Sequence, residues 1–113
     1  MGIKIDPDEV FHRINNAGAE WVELNAKAKL LEDCEKSELS QLIQEKIAAG
    51  ASSNVEAEHR ARADERYRQY IIDKTEARKA ADEARVKYEA AKTWWEAMRT
   101  QAATLRQEQR MTS

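Results

Sequence analysis

Two glutamate–histidine pairs have the spacing in this sequence that comes closest to a metal site. Glu9 precedes His12 by three positions, and Glu56 precedes His59 by the same interval. On a helix this spacing places both side chains on one face, as in the di-iron carboxylate bundles. The two further glutamates of such a site would have to lie among apolar residues. We therefore interpret both pairs as solvated charges near helix starts and expect no metal ion and no cofactor.

Carboxylate pairs and the single cysteine are the remaining candidates for catalysis. The carboxylate pairs are similar in spacing to those with which all-α nucleotide pyrophosphatases hold magnesium. They are Glu20 with Glu23, Glu35 with Glu38, and Asp73 with Glu76. No apolar frame and no phosphate-binding lysine accompanies them, and acidic neighbours of Cys34 disfavour the thiolate that a nucleophile requires. We therefore expect that this protein is not an enzyme.

Arginines in the second half of the chain are the best case for contact with phosphate groups. They are Arg60, Arg62, Arg66, Arg68, Arg99, Arg106 and Arg110. Trp94 could add a stacking face for a base. Acidic residues alternate with these arginines, however, and such alternation is typical of ion pairs on a solvated helix face. Nucleic-acid binding along this half is therefore the alternative hypothesis.

The composition indicates an all-α protein with a narrow core. Of the 113 residues, 35% are charged and 6% aromatic, and only three are glycine and one proline. Strand hairpins need more turn-forming residues than this, whereas alanine, glutamate, arginine, lysine and glutamine favour helices. Much of the apolar fraction is alanine, so burial is expected as a seam between helices.

Charge and cysteine content narrow the class of partner and the compartment. A net charge of -2 argues against a protein devoted to binding nucleic acid. Residues 51–113 carry 13 basic against 11 acidic residues, and residues 1–50 carry 6 against 10, so the two halves should attract each other. The single cysteine favours a reducing compartment, and no apolar run has the length of a membrane span. We expect a cytoplasmic protein without a membrane partner.

The first helical arm is predicted over about 7–49. Asp6 can cap it, Pro7 suits its first position, and Glu9 completes a capping box. Residues 1–5 are then a short N-terminal segment that precedes the helix. Apolar residues then alternate at spacings of four and three, which is typical of a coiled-coil seam. They are Val10, Ile14, Ala17, Trp21, Leu24, Ala28 and Leu31, and the pattern resumes, after a stutter, at Leu39, Leu42, Ile43 and Ile47.

Gly18 and Gly50 are the two glycines that bear on the first arm. Gly18 predicts either a tolerated local weakness or a kink that divides a short lead-in helix from the main one. Gly50 is suited to a left-handed cap at the end of the arm, and Ser53 with Glu56 forms a capping box for the next helix. A turn is therefore predicted at about 50–53.

The second arm is predicted over about 54–110 and contains no glycine or proline. Its seam holds the alternation of four and three from Tyr70 to Leu105 through Ala77, Ala81 and Ala84, and these alanines permit close approach of another helix. Two alternatives remain near Asp64: one continuous helix, or a break with Asp64 as the cap of a fresh helix.

Folding the arms together at 50–53 predicts that residue i of the first arm faces about residue 103 minus i of the second. Trp21 would then lie near residues 82–85. An apolar cluster would form far from the turn, from Val10, Phe11, Ile14, Tyr88, Trp94, Trp95 and Met98. The second arm would extend past the first and expose Ala102, Leu105 and Met111. An exposed seam needs cover, so the sequence predicts one helical domain that dimerises into a four-helix arrangement.

Two segments of the second arm resemble a group of small phage and prophage proteins. The segments are residues 67–71 (YRQYI) and residues 91–100 (AKTWWEAMRT), followed by Ala103 and the arginine-containing residues 106–110. Those proteins are uncharacterised, are rich in alanine, glutamate and arginine, and are often encoded near phage recombination or replication genes. The resemblance implies a phage accessory role but carries over no functional residue.

These observations predict a non-enzymatic helical protein that acts by binding another protein. Trp94, Trp95, Met98 and Leu105 are the residues expected to bind it, because large apolar side chains at an exposed helix end often anchor interfaces. An accessory factor of phage DNA metabolism and an inhibitor of a host system are the two roles that this hypothesis covers.

Overall fold

The computed structural model describes residues 6–112, and the regular secondary structure of this part of the chain is helical, without a strand. Helix α1 spans Pro7–Ala48, α2 spans Asn54–Ala63, and α3 spans Glu65–Thr112. The all-α class is thereby confirmed for these residues. None of the three helices combines the length and apolar character that a membrane span requires. The short N-terminal segment predicted at residues 1–5 lies outside the described residues.

Helix α1 begins where the sequence places its cap. A carboxylate oxygen of Asp6 accepts a hydrogen bond from the backbone N–H of Asp8 at 3.0 Å. Glu9 does not reach back to complete a capping box; it accepts a hydrogen bond from Arg13 at 3.0 Å, one turn further on. The helix continues through Gly18, so no helix ends at this residue.

The end of α1 is a left-handed cap of the Schellman type. Gly50 has φ +99°, and the N–H groups of Gly50 and Ala51 donate to the carbonyl oxygens of Ile47 and Lys46, both at 3.1 Å. A side chain is strained at this φ, whereas glycine adopts it without a steric penalty. The turn is thus built on the residue that the sequence indicated.

Helix α2 is short and ends at a break in the backbone. At its start, the backbone N–H of Glu56 donates to Ser53 Oγ at 3.1 Å. The carboxylate of Glu56 accepts hydrogen bonds from the backbone N–H and the hydroxyl of Ser52. At Asp64 the backbone is extended, with φ -66° and ψ 136°. The structure therefore has the break near Asp64 and not the continuous helix, although no glycine or proline enforces it.

Asp64 stabilises the break through its carboxylate. The carboxylate accepts from the backbone N–H of Arg66 at 2.8 Å, which caps α3, and it pairs with Lys46 Nζ at 2.9 Å. The guanidinium of Arg66 also binds Asp64, and it contacts Glu45 at 2.9 Å. These partners hold the pKa of Asp64 far below its ordinary value. The ionised carboxylate thus fixes one end of α3 to α1.

We expect Asp64→Asn to destabilise the protein most near neutral pH. A lowered folded pKa stabilises the native state above the unfolded pKa of about 4, and that contribution is lost as pH falls through the folded pKa. The difference in urea midpoint between wild type and Asp64→Asn should therefore be largest at pH 7 and should shrink below about pH 4. Glu65→Gln, which removes an exposed carboxylate next to Asp64, is the control. A difference that does not depend on pH would contradict this role.

The described residues form two compact units, each built from parts of α1 and α3. The turn unit comprises residues 23–81, and the end unit comprises residues 6–22 and 82–112. One buried cluster in the core of the turn unit consists of Ala28, Ala77 and Ala81, with Leu24 and Leu31 packed against it. Because alanine side chains are short, the two helix backbones can approach closely there.

Ion pairs show the direction of the helices within the turn unit. Along α1, Glu32 pairs with Arg78 at 2.6 Å, Glu35 with Lys74 at 3.0 Å, and Glu45 with Arg66 at 2.9 Å. Numbers rise along α1 as they fall along α3, so the helices run in opposite directions in this unit. The paired numbers sum to 109–111 and not to the predicted 103, so each residue of α1 faces a residue six to eight positions later in the chain than expected.

Candidate functional site

The four residues predicted to bind a partner all lie on α3 in the end unit. Trp95 and Met98 are half-buried. Trp94 and Leu105 keep 48% and 52% of their surface exposed. The predicted site residues therefore divide into two that are half-buried and two that are exposed.

The seam of α3 becomes fully exposed after Met98. Every residue from 99 to 112 is exposed, although the alternation of four and three continues through Ala102 and Leu105. We call residues 99–112 the tail. Trp21 of α1 lies beside Tyr88 of α3, and the same register places the start of α1, at Pro7, close to residue 102. Most of the tail therefore extends past the start of α1.

A shallow, open groove lies along one side of α3 where the tail begins, and all of its lining residues belong to α3. We call it the tail groove. Its apolar lining consists of Trp95, Met98, Ala102 and Ala103, and Glu96 and Thr100 also line it. Arg99 and Arg106 lie along it seven residues apart, which on a helix places them on the same side. A shallow apolar floor with two cations beside it can accept an apolar side chain that has acidic neighbours.

Trp94 lines a second groove, on another side of the end unit. Val10, Ile14, Ala90, Ala91 and Trp94 form its apolar walls, and Arg13 lies at its edge. We call it the Trp94 groove; its volume is about 340 Å³. A half-exposed tryptophan beside an apolar groove is a typical interface anchor. This arrangement supports the choice of Trp94 as a contact residue.

Tyr88 organises the packing behind these grooves. Its ring stacks on Trp21 with the centroids 5.6 Å apart, and Lys92 Nζ lies 5.2 Å from the ring centroid. A Cβ atom at Gly18 would come within 3.0 Å of the Tyr88 ring. Gly18 thus provides the space that the tyrosine occupies, a role that the sequence analysis missed. The signal available in the sequence was a glycine on α1 opposite an aromatic residue on the seam of α3.

Phe11 differs from its predicted position. Phe11 was expected within the apolar cluster, but 63% of its surface is exposed. The reason is its place on α1: the seam residue is Val10, which is buried, and the next residue points about 100° away around the helix. The ring of Trp21, which was predicted to lie near residues 82–85, stacks on Tyr88, three residues further along α3. The end unit therefore presents a large exposed aromatic ring near the start of α1.

Most arginines near α2 are engaged in ion pairs. Arg60 and Arg62 bind the glutamates one turn earlier, Glu56 and Glu58, and Arg66 binds Asp64 and Glu45. The Glu56 pKa is lowered, chiefly by its hydrogen bonds from Ser52. These neighbouring carboxylates offset the positive charge that phosphate binding requires. The sequence had predicted this arrangement as the more ordinary interpretation of the cluster.

The polar groups of the turn unit are arranged as structural contacts. Arg78 binds both carboxylate oxygens of Glu32, at 2.6 and 2.9 Å, and its guanidinium also donates to Asn25. The hydrogen bond from Arg78 lowers the pKa of Glu32. The Tyr70 hydroxyl donates to the carbonyl oxygen of Leu31, and burial raises the pKa of Tyr70. Each group stabilises the pairing of α1 with α3.

Within residues 6–112, no group of three or more histidine, cysteine, aspartate or glutamate side chains is placed to hold a metal ion. The carboxylates of the two glutamate–histidine pairs bind other residues, since Glu9 contacts Arg13 and Glu56 contacts Ser52. No protein-family model, no curated protein and no solved structure matches this chain.

Proposed function

We propose that this chain is a non-enzymatic protein that acts by binding other protein chains through the end unit. The observation that carries the proposal is the continuation of the apolar seam of α3 into a tail on which every residue is exposed. An exposed seam that continues the periodicity of a buried one is typical of a helix that packs against a partner. Trp94, Trp95, Met98 and Leu105 are the proposed contact residues.

The proposed overall arrangement is a long antiparallel hairpin that forms a homodimer with four helices. Opposite helix directions within the turn unit support the hairpin, and the exposed tail supports the dimer. The resemblance of residues 91–100 to small phage proteins suggests an accessory factor of phage DNA recombination or replication, or an inhibitor of a host system. The single cysteine, Cys34, fits a role in the cytoplasm.

Binding of a protein partner is tested by comparing what the purified chain retains from a lysate of its host. A partner retained by the wild type should be lost from Trp94→Ala and from Leu105→Ala, because truncation of an interface anchor costs more than ~1 kcal/mol. Val55→Ala is the matched control, since Val55 is 65% exposed but lies in the turn unit. Equal retention by all three variants would contradict the choice of contact residues.

Direct nucleic-acid binding is the alternative, and a titration of labelled single-stranded and double-stranded DNA decides between the two. Fluorescence anisotropy should show no binding at physiological salt, because the arginines near α2 are paired with carboxylates. Micromolar binding that survives physiological salt would contradict the proposal. In that case Arg99→Glu with Arg106→Glu should abolish it, since each phosphate contact contributes to the salt dependence.

A further inference from the structure

Four basic residues of α3 recur at intervals of seven in the end unit. They are Arg85, Lys92, Arg99 and Arg106, and all four are exposed. An interval of seven keeps side chains on one edge of a helical seam and about 10 Å apart along the axis. We call these four residues the cationic row. Its last two members lie in the tail, beside the exposed seam residues Ala102 and Leu105.

The same edge of α3 is neutralised by α1 in the turn unit. Arg78, seven residues before the start of the row, binds the carboxylate of Glu32 at 2.6 and 2.9 Å. Arg78 directly follows the seam residue Ala77, and Glu32 directly follows the seam residue Leu31. Charges that flank an apolar seam in this way select the partner of a helix in a coiled coil. The turn unit thus shows which chemistry complements this edge.

Helix α1 provides no such acid within the end unit. Steps of seven residues back from Glu32 lead there to Gly18 and Phe11, and neither is charged. The acids at the start of α1 do not replace it, since no carboxylate of the described residues forms an ion pair with the row. Glu9 binds Arg13 instead. The row is therefore left without a carboxylate partner among residues 6–112.

We infer that the tail binds an acidic amphipathic helix of a partner protein. The apolar seam of the partner covers Ala102 and Leu105, as α1 covers the seam of α3 in the turn unit. Carboxylates at intervals of seven on the partner pair with Arg99 and Arg106. The inference rests on the proposed function and names the chemistry of its partner.

The apolar seam favours a helix over a nucleic acid as the occupant of the tail. A phosphate backbone could pair with Arg99 and Arg106, but it would leave Leu105 in water. No acidic residue lies three or four positions from Arg106, so this cation has no counter-charge within one turn of its own helix. An acidic helix with an apolar face satisfies both the cations and the seam.

Two labelled synthetic peptides provide the probes for this inference. Both consist of four heptads with leucine at positions a and d. The acidic peptide carries glutamate at positions e and g, and the basic peptide carries lysine there. Fluorescence anisotropy measures their binding as each is titrated with the full chain. The acidic peptide should bind at least about tenfold more tightly than the basic peptide, and its affinity should fall as the salt concentration rises.

Charge reversal in the tail should exchange this preference. Arg99→Glu combined with Arg106→Glu should weaken binding of the acidic peptide by about tenfold or more and strengthen binding of the basic peptide. Lys29→Glu combined with Lys36→Glu is the matched control. Both lysines are exposed and lie seven residues apart on α1 in the turn unit, so the net charge changes equally. The control should bind both peptides as the wild type does, and circular dichroism establishes that all variants retain their helices.

The measurements with peptides can overturn the inference in several ways. Equal affinity for the two peptides, or no binding of the acidic peptide, would do so. Equal effects of the tail substitutions and the control substitutions would show that only net charge matters. An acidic peptide with serine at positions a and d should not bind; if it binds as tightly as the leucine peptide, the tail recognises charge alone.

Other occupants of the tail give different results. Double-stranded DNA that binds at physiological salt while the acidic peptide does not would overturn the inference in favour of a nucleic acid. A homodimer that dissociates on charge reversal in the tail, detected by sedimentation equilibrium, would identify a second copy as the occupant. Retention of a partner from a lysate is a separate measurement with Trp94→Ala and Leu105→Ala. Failure of the peptide test alone therefore leaves the proposed function standing.

Discussion

Ala28→Leu should lower the free energy of unfolding by about 2 kcal/mol or more. Ala28 has no exposed surface and packs against Ala77 and Ala81 in the core of the turn unit. Three additional carbon atoms cannot fit between helices that approach this closely. The helices must separate or the side chains must leave their preferred rotamers, and both cost energy. Urea unfolding followed by circular dichroism measures the change.

Ala26→Leu is the control for that substitution. Ala26 lies two residues earlier on the same helix, and its side chain is exposed. Leucine and alanine are both good helix formers, so this change should alter stability by less than about 0.5 kcal/mol. If Ala28→Leu proved as mild as Ala26→Leu, the alanine core would not set the distance between α1 and α3.

Tyr88→Ala should destabilise the end unit by about 3 kcal/mol, because it removes a ring that stacks on Trp21 and contacts Lys92. Gly18→Ala should also destabilise the wild type, although the same change within an ordinary helix stabilises by about 1 kcal/mol. The reason is the 3.0 Å approach of the new Cβ to the Tyr88 ring. The ring has little room to move, since Trp21 stacks on it.

The combination of these two changes provides the decisive comparison. In the Tyr88→Ala background the steric conflict is gone, so Gly18→Ala should become stabilising by up to about 1 kcal/mol. Thermal unfolding of the four proteins of this double-mutant cycle gives the coupling. A stabilising effect of Gly18→Ala in both backgrounds would show that the tyrosine yields and that Gly18 is a tolerated weakness.

Periodicity predicted the buried face of the helices well. Every seam position from Val10 to Leu31 on α1, and from Tyr70 to Met98 on α3, is buried or half-buried. Spacing alone suffices here because the side chains of a seam recur at 3.5 residues whatever the partner is. The end of α1 was also predictable, since few residues other than glycine tolerate the positive φ of its cap.

Asp64 and Phe11 show where sequence reasoning was insufficient. The carboxylate of Asp64 at the break pairs with Lys46, which is distant along the chain, whereas local propensity on both sides favours a continuous helix. Phe11 is apolar, but its position around α1 places it next to the seam and not on it. Hydrophobicity alone misplaced it. The two errors thus have different causes: the first involves a contact between helices, and the second the position of a residue around its own helix.

The alanine core has a thermodynamic consequence. Six of the eight buried hydrophobic residues among the described positions are alanines, so unfolding newly exposes little apolar surface per residue. The heat-capacity increment of unfolding should therefore lie below the usual value of about 12–15 cal/mol/K per residue. A small increment flattens the dependence of stability on temperature. Cooling and moderate warming then change the folded population of this protein less than they change that of a domain with a bulky core.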